Sequence, residues 1–127
     1  MNKENVLKVA DAIEQHSIPE LGFNMNYGLV SRSDNIKDLS GYNCDTVACI
    51  AGWCNMLTKP DARFSDFDAA REFLGLDPKA ASELFYASSQ WEFEGGDHTY
   101  LERITPSKAA VVLRHLAETG EVNWSVA

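Results

Sequence analysis

The chain has 127 residues, of which 45% are hydrophobic and 24% are charged, and its formal charge at neutral pH is -8. These values are ordinary for one globular domain, residues 1–127, around a single hydrophobic core, and they exclude a disordered chain. The negative charge repels phosphate backbones and anionic lipid headgroups, so we expect neither nucleic acid nor a membrane as a partner.

The sequence predicts a cytoplasmic protein. No apolar run approaches the roughly 20 residues of a membrane-spanning helix, and residues 1–16 form an amphipathic pattern with acids rather than a signal peptide. The three cysteines are an odd number within eleven positions, which is a poor disulfide framework: Cys44, Cys49 and Cys54. Reduced thiols are typical of the cytosol.

The first predicted helix begins after Asn2, an N-cap residue, and ends near His16. Its buried face is formed by residues at the three-and-four spacing: Val6, Val9, Ala10 and Ile13. After Pro19, large apolar residues alternate with Gly and Asn in the pattern of a short, half-buried strand: Leu21, Phe23, Met25 and Tyr27. Residues 31–43, rich in Ser, Asp, Asn and Gly, predict a long ordered loop.

Residues Val47 to Leu57 are almost entirely apolar, and only Asn55 among them is clearly polar. A helix that is apolar on all sides belongs in the middle of a core, so we expect this segment to be the central helix. Gly52 costs about 1 kcal/mol relative to alanine inside a helix. Its presence therefore predicts that another element packs close against the helix backbone.

Two short helices are predicted next, with a corner at Gly75 between them. Ser65 with Asp68 resembles a capping box at the start of the first, and Asp77 with Pro78 begins the second.

The chain then passes through residues 88–101, an aromatic and acidic stretch that we predict to be a loop or a loose hairpin. The last helix has Thr105 as its cap, Pro106 at its first position and Gly120 after its end, and Trp124 is expected to fold back on the core together with Val122. The predicted fold is mainly α: about five helices packed around the central helix Val47 to Leu57, to which a minor pair of short strands can be added.

Two segments resemble a group of small bacterial and phage-encoded proteins with no assigned activity. The first is CDTVACIAGW, Cys44 to Trp53, in which Asp45 stands where the group usually has glycine. The second is ITPSKAAVVLRHLAETGEVNW, Ile104 to Trp124, which is similar to the closing helix and tail of the same group. The resemblance covers about a quarter of the chain and implies a phage or prophage origin, but no reaction, cofactor or ligand.

Cys44 is the residue that a thiol-dependent enzyme would use. Placed just before a helix N-terminus, its thiolate would be stabilised by the helix dipole and the first amides, and His98, the most loop-like histidine, would be the base. Against this, cysteine is among the most often buried residue types, and Cys49 and Cys54 indicate that small apolar volumes are tolerated in this segment. A buried thiol is the preferred interpretation and the enzyme is an alternative.

The sequence predicts neither a metal nor a cofactor. Cysteines five residues apart on a helix point about 140° away from one another, and the three histidines, His16, His98 and His115, have no acid or cysteine at ligand spacing. A phosphate-binding loop needs a lysine at the helix start, whereas Asp97 follows the Gly-Gly pair.

Residues Asp68 to Tyr86 resemble a helix-turn-helix unit, which makes a DNA binder a further alternative. A recognition helix relies on nearby Lys and Arg for phosphate contacts, but the second helix begins Asp77, Pro78, Lys79 and offers this single cation. A helical hairpin in the core is therefore favoured.

The leading hypothesis is a small, acidic, non-enzymatic interaction protein of phage origin that engages a host or phage protein. Its predicted binding surface is the loop that contains Trp91, Glu92, Glu94 and Asp97, because buried tryptophan often dominates interface energies. For Trp91 and Phe93 taken by themselves, the favoured interpretation is that they cover one end of the helical core. DNA mimicry is a variant that requires the acidic residues to converge on one face, and the oligomeric state stays open.

Overall fold

A computed structural model describes residues 1–31, 36–41, 44–87 and 98–126, except for the side chains of His98 and Thr99. The α-helices in these ranges are α1 Lys3–Gln15, α2 Ile50–Thr58, α3 Phe67–Leu74, α4 Pro78–Tyr86 and α5 Pro106–Thr119. The strands are β1 Leu21–Phe23, β2 Val30–Ser31 and β3 Thr46–Ala48. Two 3-10 segments follow at His98–Arg103 and Trp124–Val126. The chain is mainly helical as predicted, with a small three-stranded sheet in place of a strand pair.

Most helix ends follow the predicted capping residues. The Asn2, Asp77 and Thr105 side chains each accept a hydrogen bond from the backbone N–H three residues later. The predicted cap of α3 is wrong: Asp66, not Ser65, is the N-cap, and its carboxylate accepts from the backbone N–H of Ala69 at 3.0 Å. The Ser65 hydroxyl is used elsewhere, because it accepts a hydrogen bond from a backbone N–H of the loop before β2, that of Leu29.

The sheet has the strand order β1-β3-β2, in which β1 is parallel to β3 and β2 is antiparallel to it. The strand predicted after Pro19 is confirmed at Leu21–Phe23. The expected half-buried pattern is wrong, since all three residues of β1 are buried. A chain turn that includes Asp38 covers one side of β1, and Trp53 of α2 bonds to the same strand, so β1 has no solvent face.

The central apolar segment divides into a strand and a helix. Val47 and Ala48 lie in β3, Cys49 is the N-cap of α2, and the helix begins only at Ile50. The single helix predicted for Val47 to Leu57 is therefore too long at its N-terminal end. An apolar run has no periodicity that separates a buried strand from a buried helix, and pairing of Val47 with both neighbouring strands decides the outcome.

The core position predicted for this segment is confirmed. Every residue of α2 from Ile50 to Asn55 is buried, and α2 contacts α1, α3 and α4. Both deeply buried tryptophans hydrogen-bond through their indole N–H groups: Trp53 to the Gly22 carbonyl at 3.0 Å and Trp124 to the Glu83 carbonyl at 2.8 Å. Trp124 thus folds back on the core as expected.

Helices α1 and α5 make the most extensive helix pair, and an exposed ion cluster spans them. The Arg114 guanidinium donates to both carboxylate oxygens of Glu14 and to Asp11, each at 2.9 Å. The hydrogen bonds from Arg114 hold the pKa of the Glu14 carboxyl below its ordinary value.

Among the described helices, none has both the length and the apolar character needed to cross a membrane.

At Gly52, close packing and intrinsic helix propensity predict opposite effects on stability when alanine is substituted. A Cβ at this position would overlap the Cβ of Ala48 and come within 3.1 Å of the Ser65 hydroxyl. Propensity alone would make Gly52→Ala stabilising by about 1 kcal/mol. We instead expect a loss of about 1–3 kcal/mol in the free energy of unfolding, measured by urea denaturation, because the overlap displaces β3.

Glu72→Ala, at an exposed position of α3, is the control and should change the free energy of unfolding by no more than about 0.5 kcal/mol. A Gly52→Ala variant as stable as the unsubstituted protein would show that α2 does not pack closely against β3.

Candidate functional site

Cys44 lies two residues before β3 rather than at a helix N-terminus, so the predicted dipole effect on its thiolate does not apply. Its side chain is buried, with 7% exposed. The sulfur lies 3.5 Å from Nε2 of His16 and 3.4 Å from the Pro19 carbonyl oxygen. The imidazole that the described residues bring to Cys44 is thus that of His16, whereas the side chain of His98, the predicted base, lies outside the described residues.

The hydrogen bond of His16 decides what this pair can do. Its Nε2 atom lies 2.8 Å from the Leu21 carbonyl oxygen. Since a carbonyl oxygen only accepts hydrogen bonds, Nε2 must carry a proton. The ring nitrogen nearest the sulfur is therefore a donor and does not accept the thiol proton of Cys44. The Cys44 S–H group donates to the Pro19 carbonyl oxygen, and this contact favours the interpretation of Cys44 as a structural thiol.

Sequence reasoning missed His16 because its position depends on the end of α1. His16 has a left-handed backbone (φ 52°), and this turn brings its ring beside Trp53, with ring centroids 6.1 Å apart. The available signal was its place immediately after the last helical residue, where the chain reverses. The pattern gave no indication that the reversal points the ring at Cys44.

Asp38 holds the segment before Cys44 against β1. Its carboxylate accepts hydrogen bonds from the backbone N–H groups of Phe23 (3.2 Å), Ser40 (2.9 Å) and Cys44 (2.9 Å) and from the Ser40 hydroxyl (2.6 Å). Burial alone would raise the pKa of Asp38, but these hydrogen bonds together bring it below its ordinary value. The carboxylate occupies the space above Gly22, which leaves no room for a Cβ there.

The other two cysteines are enclosed by apolar residues. Cys49 and Cys54 are buried, and burial raises the pKa of both thiols. All three cysteines are free rather than disulfide-bonded. Among the described residues, no group of three or more His, Cys, Asp or Glu side chains is placed to hold a metal ion.

A cleft of about 390 Å³ opens between the end of α2 and the start of α3. Its walls come from the last turn of α2, the connecting loop 59–66 and the first turns of α3. The buried Asn55 amide joins the walls: its Nδ2 donates to the Asp66 carbonyl at 3.0 Å and its Oδ1 accepts from the Asp66 N–H at 2.6 Å. The cleft thus has a hydrogen-bonded floor that fixes its shape.

Phe64 is the most conspicuous residue of this cleft. It lines the opening and is 73% exposed, whereas Phe23 and Phe85 are buried in the core. Charged residues of the same loop, Lys59, Asp61 and Arg63, line the cleft around it. Sequence analysis missed this site because a polar loop after Pro60 has no periodicity. The one available signal was a lone aromatic residue in the charged stretch KPDARF.

The binding loop predicted from the sequence, with Trp91, Glu92, Glu94 and Asp97, lies outside the described residues. The structure describes its two flanks: the Tyr100 hydroxyl donates to the carbonyls of Tyr86 at 2.9 Å and Ala87 at 3.3 Å. This hydrogen bonding joins the end of α4 to the segment that follows the loop.

Residues Asp68 to Tyr86 form the expected pair of helices, α3 and α4. The ring of Phe67 packs against that of Tyr86, with centroids 5.4 Å apart, and Arg71 donates to the Leu76 carbonyl at the corner. One cation of this unit is thus engaged within it. The DNA-binding alternative gains no support from these contacts.

Comparisons of the chain with protein-family models, with curated proteins and with solved structures gave no match. The resemblance of Cys44 to Trp53 to small phage-encoded proteins therefore stays a prediction.

Acid titration tests the role of Asp38. Because its folded-state pKa is lowered, the stabilisation by this carboxylate is complete above the ordinary value of 3.8 and is lost as the pH falls through the lower folded value. Asp38→Ala should reduce the free energy of unfolding at pH 7 by about 1–3 kcal/mol. It should also flatten the decline in stability below about pH 4.

Asp45→Ala is the matched control for this titration, since Asp45 is exposed and immediately precedes β3. It should leave both the stability and its pH profile nearly unchanged. Equal profiles for the unsubstituted protein and Asp38→Ala would contradict the role assigned to the Asp38 carboxylate.

A thiol titration tests the structural interpretation of Cys44. With an aromatic disulfide reagent near neutral pH, the native protein should react slowly, and only at Cys44, because Cys49 and Cys54 are more deeply buried. Cys44→Ser should abolish this slow phase, and denaturant should release all remaining thiols together. Rapid, stoichiometric labelling of native Cys44 would instead support the thiol-dependent enzyme.

Proposed function

We propose that this chain is a small, acidic, non-enzymatic protein-interaction module that binds a partner protein through the cleft between α2 and α3. The observation that carries the proposal is Phe64, which is 73% exposed at the opening of a shaped cleft. Aromatic residues at the centre of an interface commonly dominate binding energy when a partner covers them.

The shape of the cleft supports the same proposal. Its volume of about 390 Å³ lies within the range of sites that take small ligands or a few side chains of a partner. The Asn55 hydrogen bonds fix the distance between α2 and the start of α3, so binding needs little rearrangement of the floor. A preformed site retains more of its contact energy as affinity.

The thiol-dependent enzyme has less support. A catalytic cysteine needs an accessible thiolate and a base that takes its proton. Cys44 is buried, and the nitrogen of His16 beside it is already a hydrogen-bond donor to a backbone carbonyl. The structure offers His16 as a neighbour of the thiol but not as its base.

The proposal also includes the origin of the protein and its cellular compartment. The resemblance of Cys44 to Trp53 favours a phage or prophage protein that acts on a host or phage protein. Three free, buried cysteines suit the reducing cytoplasm. The acidic aromatic loop at Trp91 to Asp97 is retained as a predicted second contact with the partner.

Affinity capture from cells that encode the protein tests this proposal. The tagged chain should retain a partner that is also retained by Val111→Ala and is lost with Phe64→Ala. Val111 is a suitable control because it is a 40% exposed apolar residue on α5. With the purified partner, Phe64→Ala should raise the dissociation constant at least about tenfold by calorimetry.

Both variants should unfold at the same temperature as the unsubstituted chain, because the two side chains are exposed. A partner bound equally well by Phe64→Ala, or the lack of any saturable partner, would contradict the proposal.

A further inference from the structure

We infer that two copies of this chain associate through the cleft between α2 and α3, with Phe64 of each copy inserted into the cleft of the other. This association is independent of the proposed partner, which would compete with the second copy for the same cleft. Three features support it: the exposed ring of Phe64, the volume of the cleft and the order of charges along the loop 59–66.

The lining of the cleft carries equal numbers of positive and negative charges. Four charged side chains line it, all of them exposed: Lys59, Asp61, Arg63 and Asp66. Among the residues that the structure describes, none forms a hydrogen bond or ion pair with the side chain of Lys59, Asp61 or Arg63. These charges can therefore contact another molecule without the loss of an intramolecular ion pair.

The signs of the four charges alternate along the chain, in the order positive, negative, positive, negative. A two-fold axis perpendicular to the loop places the loops of two copies antiparallel, which reverses this order in the second copy. Asp61 then lies opposite Arg63 of the other copy, and Lys59 lies opposite Asp66 of the other copy. Every such pair occurs twice, so this neutral surface is complementary to itself.

The net charge of the chain restricts where two copies can meet. With a charge of -8 each, two copies repel one another overall. At the charge-balanced cleft, contacts between opposite charges replace this repulsion. Exposed ion pairs contribute little affinity by themselves. The charges therefore set the orientation of the two copies, and the apolar contact must supply most of the binding energy.

Phe64 and the cleft supply this apolar contact. The ring is 73% exposed, so it does not fill the cleft that it lines. An apolar cavity of about 150 Å³ suffices to hold a benzene ring, and the cleft of about 390 Å³ has room for the ring of the other copy. The hydrogen bonds of Asn55 hold the floor in place. Because one cleft is a small interface, we expect a weak, reversible dimer.

Sedimentation velocity of the full-length chain, from about 1 μM to about 1 mM, tests the inference. The sedimentation coefficient should rise with concentration from that of a monomer to that of a dimer, without larger species, because a two-fold contact is closed. Phe64→Ala should raise the dissociation constant of the dimer at least about tenfold. Val111→Ala, which removes an exposed apolar side chain from α5, should leave it nearly unchanged.

A pair of complementary variants tests the order of charges. Lys59→Glu/Arg63→Glu leaves the cleft lining without cations, and Asp61→Lys/Asp66→Asn leaves it without carboxylates while asparagine retains the cap of α3. Each variant alone should dimerise at least about tenfold more weakly than the unsubstituted chain. An equimolar mixture of the two should form a heterodimer at least as tight as the unsubstituted dimer.

Two comparisons separate this local effect from the overall charge. Lys8→Glu/Lys79→Glu has the same net charge as Lys59→Glu/Arg63→Glu, but its changes are at exposed positions on α1 and α4, and it should still dimerise. The variant without carboxylates is less negative overall than the unsubstituted chain. Its failure to self-associate would therefore not arise from general repulsion between chains.

A chain that stays monomeric throughout the concentration range, a dimer unaffected by Phe64→Ala, or a mixture of the complementary variants that does not associate would each overturn the inference. The proposed function fails or stands separately. A monomeric chain that captures a partner through Phe64 would preserve the interaction module and reject only the association of two copies. A dimer that captures no partner would have the opposite meaning.

Discussion

The structure depends on burying a strand and a helix that follow one another directly. Strand β3 and helix α2 pass through the core with only Cys49 between them, so their backbone groups must find partners inside the protein. Strand β3 lies between β1 and β2, so its backbone groups find hydrogen-bond partners on both sides. The Trp53 indole of α2 donates to the carbonyl of Gly22. Among the described residues, no buried side-chain nitrogen or oxygen lacks a hydrogen-bond partner.

Two polar side chains then fix the loops around this core. Asp38 binds the segment before β3 through its carboxylate, and Asn55 binds the loop before α3 through its amide. The first arrangement encloses Cys44 beside His16 and leaves a structural thiol. The second shapes a cleft that exposes Phe64. In both places one polar side chain, hydrogen-bonded to loop backbone, fixes a segment next to the core.

Elements whose signals are local were predictable from the sequence. Asn2, Asp77 and Thr105 cap the predicted helices, and Gly75 and Gly120 end two of them with positive φ. The predicted cap of α3 was wrong because two neighbouring residues can both cap a helix. Asp66 caps α3, while the Ser65 hydroxyl accepts a hydrogen bond from the backbone N–H of Leu29 on another loop. The sequence predicted that an element packs closely against Gly52, but it did not indicate that Ala48 is the residue in contact.

The sequence by itself determined a mainly helical fold, the caps of α1, α4 and α5 and the burial of residues around Trp53, because hydrophobic burial and capping act over a few neighbouring residues. Tertiary structure alone decided that Val47 joins a strand, that His16 meets Cys44 across 28 positions of sequence, and that Phe64 stands at a cleft. Those outcomes depend on pairing and packing between distant segments, and contacts at such separation leave no periodic trace in the residues that make them.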